Sequence, residues 1–247
     1  MSTIVELRRQ SAVLSARYRD CLLGDWSTTL FLVLQAPFIG WLCTLVWGSV
    51  ETDTPTLYFV LSLSAVWFGC INACREIVKE RAIVERERFF GLSMGAYVLS
   101  KARVLAGLSL AQVVLLQFSV EWKIGIRGPM VFQLLALFLG AVAGTGLGLI
   151  VSAMSSRQER AVGAVPLLLL PQILFSKFAI PEERFGDLVR FIEKAMPVRW
   201  SFEVFEECAA TAPNWFSVVG ALLFLAILAL VFLMLAVVAM MPRREPA

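Results

Sequence analysis

Six long apolar segments recur along the 247-residue chain, and they constrain its fold more than any other feature. A helix of about 20 apolar residues crosses the ~30 Å hydrocarbon core of a bilayer. Hydrophobic residues make up 59% of the chain and charged residues 17%, whereas a water-soluble domain has about 45–50% and about 25%. We therefore predict an all-α integral membrane protein with six transmembrane helices. The predicted spans are residues 28–47, 56–73, 104–120, 130–154, 161–178 and 215–241.

A dense run of charge separates the second and third apolar segments. Between Arg75 and Arg88, nine of fourteen residues are charged, and both flanks are apolar enough to lie in lipid. A single Arg or Asp at the bilayer centre costs about 2.5–3.5 kcal/mol on insertion scales. The run must therefore lie at a membrane surface. Its composition favours a helix, which predicts a structured loop that a partner can bind.

Basic residues are distributed unequally between the two sides that this layout defines. With both termini cytoplasmic, the inner side carries 15 Lys and Arg and the outer side carries seven, in agreement with the positive-inside rule. We predict a multi-pass protein of the inner (cytoplasmic) membrane. Residues 1–27 would form an amphipathic helix on the inner surface or, alternatively, a solvated tail. Residues 28–247 would form the six-helix transmembrane domain.

The segment between the fifth and sixth spans combines apolar and charged residues at helical spacing. After Pro181 the pattern predicts an amphipathic helix that lies at, or dips into, the outer interface. A second short helix, at residues 200–210, then leads to the last span. We therefore expect an outer loop with helical structure of its own.

Small residues recur every four positions along the fourth span. Gly140, Gly144 and Gly148 belong to this stripe, which allows another helix to approach closely. The stripe predicts helix packing inside one bundle or, alternatively, at a dimer face.

The chain offers little for catalysis. It contains no histidine and no G-x-x-x-x-G-K-[ST] nucleotide-binding loop, so ATP and Mg²⁺ are expected on a partner polypeptide. No cofactor or metal site is expected in this chain. The string from Gly91 to Gly95 matches the G-x-S-x-G nucleophile elbow, but that motif needs a histidine base. Cys208 stands alone in a long loop and is a candidate for pairing with the same residue of a second subunit.

The charged run and three other stretches carry a family resemblance. The run reads Glu80-Arg-x-Ile-x-x-Arg-Glu-Arg88, followed by Gly91, Ala96-Tyr97 and Ser100-Lys101. It resembles the first cytoplasmic loop of ABC transporter permeases of the G subfamily and their bacterial relatives, which are type-2 ABC export permeases. The other stretches, which agree in order and spacing, are residues 19–40, 155–161 and 175–203. One departure is Lys177, where the family often has glycine.

The resemblance implies a cytoplasmic coupling helix that docks on an ATPase, and a re-entrant outer loop before the last of six spans. It also implies that the second and fifth spans of two copies line a central cavity with an apolar gate. Carried over residue by residue, the coupling residues are Glu80, Arg81, Glu85, Arg86, Glu87 and Arg88. The pathway or gate candidates are Phe68, Asn72, Leu170, Ile173 and Leu174.

These observations predict the permease subunit of an ATP-driven ABC exporter. It would homodimerise, contact membrane lipids and pair with two copies of a separate ATP-binding subunit, with no nucleic-acid partner. Two alternatives remain: a non-transporting membrane anchor that docks an ATPase, and a membrane-embedded lipid-modifying enzyme. The cargo stays open among lipids, drug-like molecules, peptides and glycans.

Overall fold

The computed structural model describes residues 2–49, 54–176 and 186–241 of the chain. All secondary structure in these residues is helical, which confirms the all-α prediction. The helices are α1 (Ser2–Gly24), α2 (Trp26–Trp47), α3 (Pro55–Ala73), α4 (Arg81–Phe89), α5 (Met94–Glu121), α6 (Met130–Met154), α7 (Gln158–Leu174), α8 (Asp187–Lys194), α9 (Pro197–Ala209) and α10 (Trp215–Ala239). A single 3-10 turn, Val78–Glu80, precedes α4.

Five segments of the described chain are long and apolar enough to cross a membrane. They are Trp26–Trp47, Pro55–Phe89, Met94–Glu121, Met130–Met154 and Trp215–Ala239. The predicted span at residues 161–178 corresponds to α7, which has 17 residues and contains Pro166 and Pro171. At 1.5 Å per residue α7 is about 25 Å long, less than the ~30 Å core. The sixth crossing therefore stays a prediction.

The N-terminal helix α1 packs against α5 and ends just before the first span. Its Ser11 and Tyr18 are buried, whereas Val13 is 65% exposed. Asp25 separates α1 from α2, and its carboxylate accepts a hydrogen bond from the Thr28 amide. This side-chain cap satisfies one of the amides left free at a helix start, so a new helix begins there.

Glycines bring the backbones of α3 and α6 together at the centre of the bundle. A Cβ added at Gly144 would collide with the backbone of Val66, and one at Gly148 would lie 2.6 Å from a carbonyl oxygen of α3. Gly69 on α3 meets the α6 backbone in the same way, while a Cβ at Gly140 would make an ordinary contact, 3.6 Å from Val66. The glycine stripe of α6 therefore faces a helix of its own chain.

Helix α9 packs against α3, α6 and α10. Its Phe205 ring stacks on Tyr58, with 5.5 Å between centroids, and its Phe202 ring meets Phe59 edge-on at 6.3 Å. The predicted helical structure before the last span thus takes the form of α8 and α9. The predicted start of the amphipathic helix at Pro181, and the departure at Lys177, lie outside the described residues.

Cys208 lies inside the bundle rather than in an open loop. Its side chain is 4% exposed and belongs to an apolar cluster with Ala136, Val204 and Val218. The sequence alone placed Cys208 in a long loop, because it did not show that α9 packs against α6 and α10. A disulfide between two copies would need α9 to leave this core, which corrects the expectation for Cys208.

Candidate functional site

The charged run after α3 folds back onto the end of α6. The Ser152 hydroxyl oxygen accepts hydrogen bonds from the amides of Ile77, at 2.9 Å, and Val78, at 3.0 Å. The Arg81 guanidinium donates to the Ala153 carbonyl oxygen at 2.5 Å. Buried amides without partners cost free energy, so these bonds hold the turn before α4 against α6.

A buried group of charged and aromatic side chains, which we call the ionic cluster, lies behind α4. Lys101 of α5 is 2% exposed, and its Nζ lies 2.7 Å from Glu80 Oε1 and 3.4 Å from Glu76 Oε2. The Tyr97 hydroxyl donates to Glu80 Oε2 at 3.0 Å. The Lys101 ammonium also lies 3.6 Å from the centroid of the Tyr18 ring on α1. The cluster therefore joins α1, α5 and the segment that leads into α4.

Helical spacing and the cost of burying charge explain the composition of the ionic cluster. Tyr97 and Lys101 are four residues apart on α5 and share one face. A buried ammonium is tolerated only when it is paired and hydrogen-bonded, and here two carboxylates surround it. Burial, followed by the nearby carboxylates of Glu76 and Glu80, raises the pKa of Tyr18, so its phenol stays neutral at physiological pH.

Two of the six predicted coupling residues are thus turned toward the interior. Glu80 is bound to Lys101 and Tyr97, and Arg81 is bound to the end of α6. Lys101 was not among the predicted site residues. A lysine inside a long and mostly apolar helix was its signal, because ionisable side chains at such positions usually have a partner. The sequence did not show that its partners would be the carboxylates of Glu76 and Glu80.

The outer face of α4 carries most of the remaining charge of the run. Glu85, Arg86 and Arg88 are exposed, and the rings of Phe89 and Phe90, which follow, are 90% and 87% exposed. Adjacent aromatic and arginine side chains are enriched where proteins bind each other. We call these five residues the α4 surface.

Glu87 connects α4 to α1. Its carboxylate lies 2.7 Å from the Arg17 guanidinium, and this hydrogen bond raises the pKa of Arg17. On the other side of α4 a cleft of about 820 Å³ separates it from the ends of α6 and α10, where Met154 and Met240 line the wall. The α4 surface therefore borders both a supporting helix and an open cleft.

An apolar groove of about 340 Å³ lies between α3 and α7. On the α3 side it is lined by Leu63, Ser64 and Trp67, and on the α7 side by Leu170 and Ile173, among others. Two predicted pathway residues, both from α7, are therefore in the groove.

The other three predicted pathway residues lie elsewhere. Phe68 is fully buried in the core of the chain. Asn72 donates from Nδ2 to Gln112 Oε1 at 2.6 Å, and Gln112 in turn donates to the Leu32 carbonyl oxygen at 2.7 Å. Leu174 is 58% exposed beyond the groove. The role of all five residues in a pathway stays a prediction.

The far end of α7 is held by the segment before α10. Gln172 Oε1 accepts a hydrogen bond from the Val198 amide at 3.2 Å. Next to it, Arg199 Nε lies 2.9 Å from the buried carboxylate of Glu193. These contacts, which the sequence did not indicate, connect the groove helix to α8 and α9.

The G-x-S-x-G match forms a helix cap. Ser93 lies at the start of α5, where its hydroxyl accepts a hydrogen bond from the Ala96 amide at 3.5 Å. In the residues that the structure describes, no three metal-binding side chains come together.

The described chain combines five apolar segments of membrane-spanning length with a short charged helix, as in a multi-pass membrane protein. Residues 9–209 match the family model of the ABC-2 type transporter, and the chain belongs to this family. This confirms the resemblance. Members are membrane components of ABC transporters, whose ATPase activity lies in separate nucleotide-binding domains.

Two curated relatives agree with this assignment. The ABC transporter ATP-binding/permease protein Rv1747 of Mycobacterium tuberculosis is 25% identical over 215 residues, which are 79% of this chain and 25% of the relative. The ABC transporter G family member 7 of Arabidopsis thaliana is 32% identical over 132 residues, which are 51% of this chain and 18% of the relative. The alignments thus cover a quarter or less of these relatives.

Proposed function

We propose that this chain is the permease of an ATP-driven exporter, assembled as a homodimer with two copies of a separate ATP-binding subunit. The observation that carries the proposal is the set of contacts that tie α4 to the bundle. Glu87 of α4 pairs with Arg17 of α1, and Glu80, just before α4, pairs with Lys101 of α5, whose ammonium lies against the Tyr18 ring of α1. Networks of packed, hydrogen-bonded and ion-paired side chains carry energetic coupling between distant sites. The excess of basic residues on one side supports an inner-membrane location with both termini cytoplasmic.

The ATP-binding subunit would dock on the α4 surface. Arg86 and Arg88 offer charge there, and Phe89 and Phe90 offer apolar area. ATP and Mg²⁺ belong to that partner in this proposal, since the 247 residues contain no nucleotide-binding loop. The printed name of the mycobacterial relative joins ATP-binding and permease functions in one protein, which supports a partnership of the same kind here.

Movement of α4 would then reach the spanning helices directly. The turn before α4 is bonded to Ser152 at the end of α6, and Glu80 is bonded to Lys101 within α5. A ligand shifts a two-state equilibrium only if it binds the two states unequally. ATP bound to the partner is that ligand, and the inward-open and outward-open arrangements of the permease are the two states.

The groove between α3 and α7 would face the second copy and form part of the cargo path. Its lining is apolar apart from Ser64, which suits amphipathic or apolar cargo. The two prolines of α7, Pro166 and Pro171, interrupt its backbone hydrogen bonding. A helix of this kind bends more readily than its neighbours when the bundle rearranges.

A membrane anchor that only docks an ATPase is the second candidate, because the α4 surface would serve it equally well. The two functions differ in whether cargo changes the ATPase rate of the complex. An anchor would leave that rate unchanged across fluorescent lipid, peptide and drug-like probes. An exporter would show stimulation by at least one class of probe and ATP-dependent movement of it.

The Arg86→Ala/Arg88→Ala variant tests the docking surface. We expect retention of the ATP-binding partner during purification to fall about tenfold or more, as for residues at the centre of an interface. The matched control is Arg8→Ala/Arg9→Ala, which removes the same charge from α1. Normal partner binding and normal ATPase stimulation in the α4 variant would show that the partner docks elsewhere.

A further inference from the structure

A second groove, of about 520 Å³, lies where α1, α2 and α5 meet. It is separate from the α4 surface and from the groove beside α7. Two arginines, Arg19 of α1 and Arg103 of α5, line it together with the hydroxyls of Ser15 and Thr29. The rest of the wall is small or apolar and consists of Ala12, Ala16, Leu22, Leu23, Val104, Gly107 and Leu108.

The positive charge of this groove is largely uncompensated. No carboxylate lines it among the described residues. Arg103 donates to the Ser11 hydroxyl at 3.1 Å, and no described carboxylate lies within ion-pair distance of it. Arg19 reaches only the exposed carboxylate of its neighbour Asp20, at 3.8 Å, a contact that contributes little in water. Both guanidinium groups therefore have N–H donors available.

The apolar part of the groove runs along α5 away from the arginines. A Cβ added at Gly107 would meet no atom within 4 Å, so the floor of the groove has space for a chain of methylene groups. Arg103 is the last charged residue before the uncharged stretch at residues 104–120. The groove thus extends from the charged part of α5 into its uncharged part, as expected for a site at a membrane interface.

We propose that this groove binds one anionic glycerophospholipid. Its phosphate would lie between Arg19 and Arg103, because guanidinium groups form paired, charge-assisted hydrogen bonds with phosphate oxygens. One acyl chain would follow Gly107 and Leu108. A lipid satisfies both halves of the site, whereas a free phosphate would leave the apolar half empty. Bound there, it holds α1 against α2 and α5.

The test uses the full-length chain in mixed micelles with equal amounts of phosphatidylglycerol and phosphatidylcholine that carry the same acyl chains. Native mass spectrometry counts the lipid retained. We expect one phosphatidylglycerol to be retained in preference. Arg19→Gln/Arg103→Gln should weaken its retention by roughly tenfold to thirtyfold, since a specific hydrogen bond to a charged group contributes about tenfold or more. Arg8→Gln/Arg9→Gln removes equal charge from α1 outside the groove and should change retention less than twofold.

A second variant, Gly107→Leu, keeps the charge and fills the groove floor. This variant should also lower the retention of phosphatidylglycerol. Glycerol phosphate, which has no acyl chains, should bind the natural chain and the variants no better than inorganic phosphate does. Equal losses in the groove variant and the α1 control would overturn the proposal, because they would indicate general attraction to the basic helix. Undiminished retention in both groove variants, or no preference for phosphatidylglycerol in the natural chain, would overturn it too.

Discussion

Lys101 connects α5 to α1 and to the segment that leads into α4. It is 2% exposed and lies between Glu76 and Glu80, beneath the Tyr18 ring. Breaking a buried pair by removal of one partner costs about 3–5 kcal/mol, because the remaining charge stays buried. We predict that Lys101→Met lowers the free energy of unfolding by this amount, measured as a fall in the melting temperature in detergent.

The control for Lys101 is a more exposed ion pair between α1 and α4. Arg17→Met breaks the contact with Glu87, in which the Arg17 side chain is 48% exposed, and exposed pairs contribute about 0–1 kcal/mol. Adding Glu80→Gln to Lys101→Met should recover part of the loss. If Lys101→Met is no more destabilising than Arg17→Met, the ionic cluster does not hold α1 and α5 together.

Cys208 gives a prediction about pH. Burial raises the pKa of its thiol, and the thiolate is the reactive form. In single-cysteine variants we therefore expect slow maleimide labelling of Cys208 at neutral pH and faster labelling as the pH rises. The exposed Cys21 serves as the reference. Labelling of both thiols at one rate, or a Cys208-linked dimer on a non-reducing gel, would contradict the buried position.

At the scale of helices, the contact between α3 and α6 depends on the absence of side chains. Gly144→Ala places a methyl group against the Val66 backbone, and overpacking of this kind costs about 1–3 kcal/mol. Gly220→Ala on α10 is the control, because a Cβ there meets nothing within 4 Å. Alanine is the better helix former by about 1 kcal/mol, so the control should be neutral or stabilising.

Thermal unfolding of the two glycine variants measures this difference. The expected order of melting temperatures is Gly144→Ala below the natural chain, and Gly220→Ala equal to it or above. The opposite order would mean that α3 and α6 do not approach as closely as the structure indicates.

At the scale of the whole molecule, the groove beside α7 should lie near a second copy. Ile173→Cys in a cysteine-free background should give a covalent dimer with a short bis-maleimide. Leu223→Cys on α10, 61% exposed, is the control and should stay monomeric. Crosslinking at Leu223 but not at Ile173 would place the second copy against α10 instead.

Much of the fold could be predicted from apolar length and charge alone. A stretch as apolar as residues 215–241 has few alternatives to a spanning helix, because every backbone polar group in lipid must be bonded within the segment. Whether α7 spans the membrane is harder to predict, since charge at its start and two prolines shorten its apolar part. The burial of α9 was not predictable, because aromatic residues such as Phe202 suit a membrane surface and a protein core equally.

The six predicted coupling residues show which conclusions follow from the local sequence and which depend on tertiary structure. Charge density placed the run from Arg75 to Arg88 at a surface, and that conclusion needed only the cost of charge in lipid. Which charges face outward depends on partners distant in sequence. Glu80 turned inward because Lys101 and Tyr97, on another helix, offered it an ammonium and a hydroxyl. A burial free energy is a property of the residue, whereas a pairing free energy is a property of the fold.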